Sequence, residues 1–222
     1  MRVSVTADPL PEQGVLVVPV GRDGTLSVAA AELDRRSGGL LRRALALGGA
    51  PPKHGELVEL LLPAGLPNER LLLLVLGKPE GTSRLDLEEA GGGLAARLVA
   101  RKVARAAIAP AEGLVLGHTA DAVAVALATG CRLRAWRFTR WRHDKPEEAP
   151  GRIEDLTLHL DAAAAGAAEA ALARAEAVVA GVLRARELVS EPPNVLHPET
   201  FAQACCQLER LGVEVEVLDR DR

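Results

Sequence analysis

Leu57-Val58-Glu59-Leu60-Leu61-Leu62-Pro63-Ala64-Gly65-Leu66-Pro67-Asn68-Glu69-Arg70-Leu71-Leu72-Leu73-Leu74-Val75-Leu76 contains two apolar runs separated by a cluster of turn-forming residues. Each run is too short for a typical helix and is bounded by Pro, Gly or Asn, which is the pattern of two strands joined by a turn. The stretch predicts a hairpin. Downstream, Leu87, Leu94, Leu98 and Val99 share one helical face within Leu85 to Lys102, with Ser83 or Asp86 as the cap. A short strand follows around Ala106 to Ala109, then an Ala-Val helix from Ala120 to Thr129 ending at Gly130, then a strand in which Leu156, Leu158 and Leu160 alternate with Thr157 and His159. Upstream, Val3 and Val5 alternate with polar residues in a first strand. The run Val15 to Val20 reads as a buried second strand whose end Pro19 limits, and Leu26 to Leu47 holds helical patches broken by Gly38-Gly39. Strands alternating with helices predict an α/β domain of three layers around a mixed sheet.

The alanine-rich segment Ala162 to Ala171 is low in complexity, yet alanine is the best helix former. It should open a long helix reaching Leu188, with Leu172, Val179, Val182 and Leu183 on the face that packs. Glu191-Pro192-Pro193 ends that helix, because proline fixes its own φ and pushes the preceding residue out of the helical region. Pro198 suits the first position of a new helix, where its missing N–H has no partner to lose. Phe201, Cys205, Leu208 and Leu211 follow at helical spacing, Gly212 is placed to stop them, and Val213, Val215 and Val217 alternate with Glu214 and Glu216 as in a strand. The expected organisation is residues 1–161 as a first domain, 162–189 as a linking helix and semi-rigid arm, and 190–222 as the truncated start of a second α/β domain.

With 222 residues, 48% hydrophobic and 26% charged, the chain has the composition of a globular protein. Aromatics make up only 2% and tyrosine is absent, so Leu, Val and Ala must fill the core. A net charge of −3 offers no global attraction for nucleic acid or an anionic membrane. The three cysteines, Cys131, Cys205 and Cys206, fit neither an even disulfide framework nor a zinc ribbon, so reduced thiols are expected. No apolar run approaches the roughly 18 residues of a spanning helix, and no leader pattern opens the chain. The expectation is a soluble cytoplasmic protein.

The segment Arg186-Glu187-Leu188-Val189-Ser190-Glu191-Pro192-Pro193-Asn194-Val195-Leu196-His197-Pro198-Glu199 resembles the junction between the two domains of the leucyl aminopeptidases, the M17 metallo-exopeptidases. Gly55-Glu56-Leu57 and the stretch from Leu62-Pro63 to Gly77-Lys78 look like the strand pair of that family's N-terminal domain, and Leu133 to Trp141 looks like its run of spaced aromatics. The chain departs from the family in Ser190, where Asn is usual, in His197, where a small hydroxyl residue is usual, and in Trp136 and Trp141, where tyrosines are common. The resemblance implies a macro-like N-terminal domain, a parent enzyme that removes N-terminal residues from peptides with two divalent ions (zinc or manganese), and assembly as a hexamer. It also implies that the metal-binding residues lie beyond residue 222. This chain alone would then have no catalytic or metal residues and no cofactor, and its role would be to position or help assemble the catalytic domain.

The residues themselves agree with that absence. The five histidines include no pair at i, i+4 and no His-Glu-x-x-His, there is no Gly-x-Ser-x-Gly elbow, and Cys205 and Cys206 have no identifiable base. Gly77-Lys78-Pro79-Glu80-Gly81-Thr82-Ser83 follows a strand and precedes a helix, as a phosphate loop would, but Pro79 removes a donor and Glu80 repels anions. Gly91-Gly92-Gly93 is expected to mark close packing of its helix against the sheet. The richest basic-aromatic cluster is Arg132, Arg134, Trp136, Arg137, Arg140, Trp141 and Arg142, with Phe138 among them. Arginine neutralises phosphates and aromatic rings stack on bases, so these residues are the candidates for nucleic-acid contact. The competing reading is an amphipathic strand or turn that buries Trp136 and Phe138 and exposes its arginines, and it is preferred. The alternative for the whole chain is a free-standing nucleotide- or nucleic-acid-binding module that lost its peptidase domain.

Overall fold

The computed structural model describes residues 1–47, 51–78, 81–141 and 151–218. In chain order it runs β1 (Arg2–Thr6), β2 (Val15–Gly21), α1 (Val28–Arg36), α2 (Leu40–Ala46), β3 (Leu57–Leu61) and β4 (Arg70–Leu76). It continues through α3 (Arg84–Ala100), β5 (Arg105–Ile108), α4 (Ala120–Ala135), β6 (Asp155–His159), α5 (Ala162–Ser190) and α6 (Pro198–Cys206), and closes in a 3-10 turn at Gln207–Leu211. The strands form one sheet in the order β1-β6-β5-β2-β4-β3. β3 and β4 are the expected antiparallel hairpin, with Leu57 opposite Leu74 and Leu61 opposite Arg70. All other pairs are parallel, so the sheet is mixed and the domain is α/β.

Successive side chains of a strand point to opposite faces, and in β4 both faces are covered. Leu72, Leu74 and Leu76 join a core with Leu87, Leu94 and Leu98 of α3, Val123 and Leu127 of α4, and Ala168 and Ala175 of α5. Leu71, Leu73 and Val75 face the other way, toward Leu33 of α1 and Leu41 of α2. Each such leucine, fully removed from water, contributes about 1.5–3 kcal/mol. The three layers thus follow from a strand that is apolar on both sides. Pro19 sits inside β2, which continues to Gly21, rather than at its end. Val17 O accepts from Ala109 N on the β5 side, where the ladder stops, so the N–H that Pro19 lacks faces a position with no strand opposite it.

Several elements differ from their sequence-based expectations. α4 does not stop at Gly130 but runs to Ala135. Gly130 is there for close approach, since a Cβ at that position would lie 1.8 Å from Glu88 O on α3. Gly91 plays the reciprocal role, its added Cβ falling 2.1 Å from Leu127 O, so this glycine packs on α4 and not on the sheet. Leu133 to Trp141 is the last turn of α4 followed by irregular chain, not a strand. Residues 213–218 form no strand: among the described residues none pairs with them, and Val213, Val217 and Leu218 are exposed.

Other expectations hold. Ser83 caps α3 with a full capping box: its Oγ accepts from Asp86 N, and its own N–H donates to Asp86 Oδ2. Gly38 and Gly39, with φ of 63° and 82°, separate α1 from α2. Gly212, at φ 82°, ends the 3-10 turn. α5 is one 29-residue helix capped by Asp161; it packs on β1 and α4, and Ala168, Ala175 and Val179 are its buried residues.

Candidate functional site

The candidate basic-aromatic residues converge on α5 rather than on open solvent. Arg132, on the last turn of α4, grips Glu176 with both ends of its fork, Nε to Oε1 at 2.9 Å and Nη2 to Oε2 at 2.9 Å, while Nη1 donates to Met1 O at 3.0 Å. Arg140 donates from Nη2 to Glu187 at 2.8 Å and from Nη1 to Glu191. Trp141 Nε1 donates to the second oxygen of Glu191 at 2.9 Å. Arg186 answers from α5, its Nη1 meeting Leu133 O at 2.6 Å. Planar guanidinium–carboxylate pairs of this kind combine charge with fixed geometry. Arg134 and Arg137 are exposed, and no ion pair among the described residues holds them. Trp136 and Phe138 are half-buried, and Arg142 lies outside the described residues.

Trp136 and Phe138 are thus only partly covered, short of the burial that the amphipathic-turn reading expected, and Arg132 and Arg140 turn to carboxylates of α5 instead of to solvent. Their acidic partners were legible in principle. Glu176, Glu187 and Glu191 are spaced by eleven and four residues, which places them within about 60° of one another around a helix. An acidic stripe facing a basic one is a docking signal that the composition of either segment alone does not give.

At the start of α3, after the β4 loop, the chain's own groups engage part of the backbone that could face an anion. Two N–H groups there are taken by the chain's own groups, Ser83 N by Asp86 Oδ2 and Asp86 N by Ser83 Oγ. Lys78 Nζ lies 2.5 Å from Asp86 Oδ1, and these donors hold the Asp86 carboxyl well below the usual carboxylate range. An internal carboxylate thus occupies the place of the anion. Beside it, a crevice of about 400 Å³ opens at the carboxyl ends of β2 and β4, lined by Gly21, Arg22, Leu76, Gly77, Lys78 and Leu116. Pro79 and Glu80 lie outside the described residues.

Among the described residues no group of three or more His, Cys, Asp or Glu is gathered as a metal site. His54 bonds Asp86 O and accepts from Gly77 N, His118 bonds Thr82 O, and His159 bonds Asp8 O, so each of these rings serves a backbone contact. The described residues therefore do not fit a two-ion centre. Cys131 is buried on α4, its thiol donating to Gly91 O at 3.0 Å, and burial pushes it up to about 12. Cys205 and Cys206 are partly exposed on α6, and all three thiols are free. No helix among the described residues is long and apolar enough to cross a membrane.

Residues 17–145 match the N-terminal domain of the cytosol aminopeptidase family. The chain belongs to that family, known as M17. A probable cytosol aminopeptidase of Methylorubrum extorquens is 38% identical over 222 residues, covering 98% of this chain and 43% of that protein. Another, from Rhodopseudomonas palustris, is 38% identical over 179 residues, covering 81% of this chain and 35% of that one. The M17 chain described here thus spans less than half the length of these curated relatives. A tomato leucine aminopeptidase variant shares its fold with a TM-score of 0.76 at 21% identity, over 99% of this chain and 44% of that one. A bottromycin maturation enzyme, BotP in complex with Mn, follows with 0.59 at 17% identity, over 89% and 36%.

Proposed function

We propose that this M17 N-terminal domain is the non-catalytic part of an aminopeptidase that removes N-terminal residues from peptides, and that it positions the catalytic domain. The observation that carries the reading is the seating of α5. A single 29-residue helix is fixed on β1 and α4 and at its end by Arg140, so it can hand the Glu191-Pro192-Pro193 junction to whatever follows in a set direction. The names of the curated relatives support the aminopeptidase activity of the whole protein. The manganese in complex with BotP supports a divalent-ion chemistry, of the kind that polarises a carbonyl and supplies hydroxide. In this reading two zinc or manganese ions are held by residues outside this chain, the partners are its own catalytic domain and further copies in a hexamer, and the protein works in the cytoplasm. The alternative of a nucleotide- or nucleic-acid-binding module is weakened by the carboxylates that already occupy Arg132, Arg140 and Lys78.

The test compares the 222-residue chain with a longer form matching the relatives' length, on a leucine-derived chromogenic substrate with excess Mn²⁺ or Zn²⁺. The longer form should turn over and the shorter should be silent. Turnover by the short chain that a chelator abolishes, and that survives removal of contaminating peptidases, would overturn the reading.

A further inference from the structure

We infer that Arg140 and Trp141 form a clasp on Glu191 that fixes the direction in which the chain leaves α5. The inference rests on the positioning role proposed above and assigns it to named side chains. Glu191 is the C-cap of α5, and its side chain is only 4% exposed although it stands at the end of a helix. One carboxylate oxygen takes Arg140 Nη1 and the other takes Trp141 Nε1, so the group is held at two points by adjacent residues. Arg140 reaches back one turn of α5 to Glu187 with its other terminal nitrogen, so the guanidinium bridges two carboxylates on one face of the helix end.

The constraint does not end at Glu191. Pro192 and Pro193 follow at once, and each fixes its own φ. Pro192 O accepts from both Val195 N and Leu196 N at 2.9 Å, folding the next residues into a rigid turn. Thr200 Oγ1 then donates to Val195 O at 2.8 Å and accepts from His197 N at 2.9 Å, joining that turn to the start of α6. An unbroken series of fixed groups therefore runs from Arg140 to α6. A second strut, Arg184 Nη2 to Gln207 Oε1 at 3.0 Å, ties the far end of that unit back to α5. With Phe201 and Leu208 only partly covered, Leu211 largely exposed and no residue of 192–211 fully buried, the segment has little buried surface to hold its pose. Side-chain bonds must do so, and the clasp holds the nearest point to the domain.

Arg140 and Trp141 are positioning residues and touch no reacting group. The test uses Glu191→Gln, which keeps shape and loses charge, Trp141→Phe, which keeps the ring and loses the donor, and Arg140→Ala. Hydrogen exchange is measured by peptide in the 222-residue chain, together with the maximum dimension from small-angle scattering. Each variant should raise exchange across 192–211 by about tenfold or more and lengthen the particle, while β2 and β4 remain unchanged. The double variant of Arg140 and Glu191 should be no faster than the faster single one, because both remove one shared interaction. Unchanged exchange in 192–211, an additive double variant, or an equal rise in β2 would overturn the clasp. The same variants in the longer form separate the two proposals: opened exchange with unaltered kcat/KM would leave the clasp standing and remove the positioning role.

Discussion

Gly91 on α3 and Leu127 on α4 meet backbone to backbone, so closely that a methyl group on Gly91 would sit 2.1 Å from the Leu127 carbonyl oxygen. Gly130 and Glu88 repeat the contact one turn along, at 1.8 Å. The two helices can be this near only because neither glycine has a Cβ, and the approach lets both lie flat on one face of the sheet.

Gly91→Ala and Gly130→Ala are expected to force α3 and α4 apart and to cost at least about 1–3 kcal/mol each. Gly166→Ala and Gly181→Ala on α5, where an added Cβ meets nothing within 4 Å, should instead stabilise by about 0.5–1 kcal/mol. Urea unfolding midpoints of the four variants check both signs in one series.

Thiol titration of the native chain should find Cys205 and Cys206 and leave Cys131 unreacted until the protein is unfolded. Burial raises the Cys131 folded-state value to about 12, so the folded protein holds its proton more tightly than the unfolded one. Its contribution to stability is therefore complete below the ordinary thiol value of about 8.5 and is lost as pH rises from there toward 12. Rapid modification of three thiols in the native state would contradict the packing of α4.

Titration of fluorescent single-stranded and duplex DNA at near-physiological salt should give no sub-micromolar binding. Arg132 and Arg140 already face carboxylates, and the net charge of −3 opposes long-range attraction. Tight binding that disappears on changing Arg134, Arg137 and Arg140 to Ala would reverse this account of the cluster.

Glu59 on β3 is 12% exposed and draws Arg70 of β4, with Arg101 at 2.9 Å and Arg97 at 3.7 Å from the end of α3. Glu59→Gln should cost about 1–3 kcal/mol, between the values for exposed and buried pairs, because three partly covered cations lose their common anion. The difference from wild type should shrink in 1 M NaCl, which the same urea series measures.

What could be read in the sequence was set by local chemistry. The hairpin from Leu57 to Leu76, the buried strand at Val15, the cap at Ser83 and the stop at Glu191-Pro192-Pro193 each depend on residues a few positions apart, and each stands where it was expected. Gly130 was misread because a glycine near a helix end serves equally for a cap or for close approach, and only the distant Glu88 decides which. The strand expected at Val213 had the right alternation but has no neighbour to pair with. The arginines were visible as a cluster, yet their function depends on Glu176, Glu187 and Glu191, some 44 to 51 residues away.

The pairing of β1 with β6 sets a timetable for the making of this domain. Arg2 lies opposite Asp155 and Thr6 opposite His159, so β1 finds its partner strand among the described residues about 150 residues later in the chain. At ordinary translation rates that is a wait on the order of 10–30 s. The rest of the sheet can assemble meanwhile from neighbours closer in sequence, since β2, β4 and β5 need nothing from β1. β1 must therefore wait for β6 before it can pair, and it closes the sheet as one of its last long-range contacts.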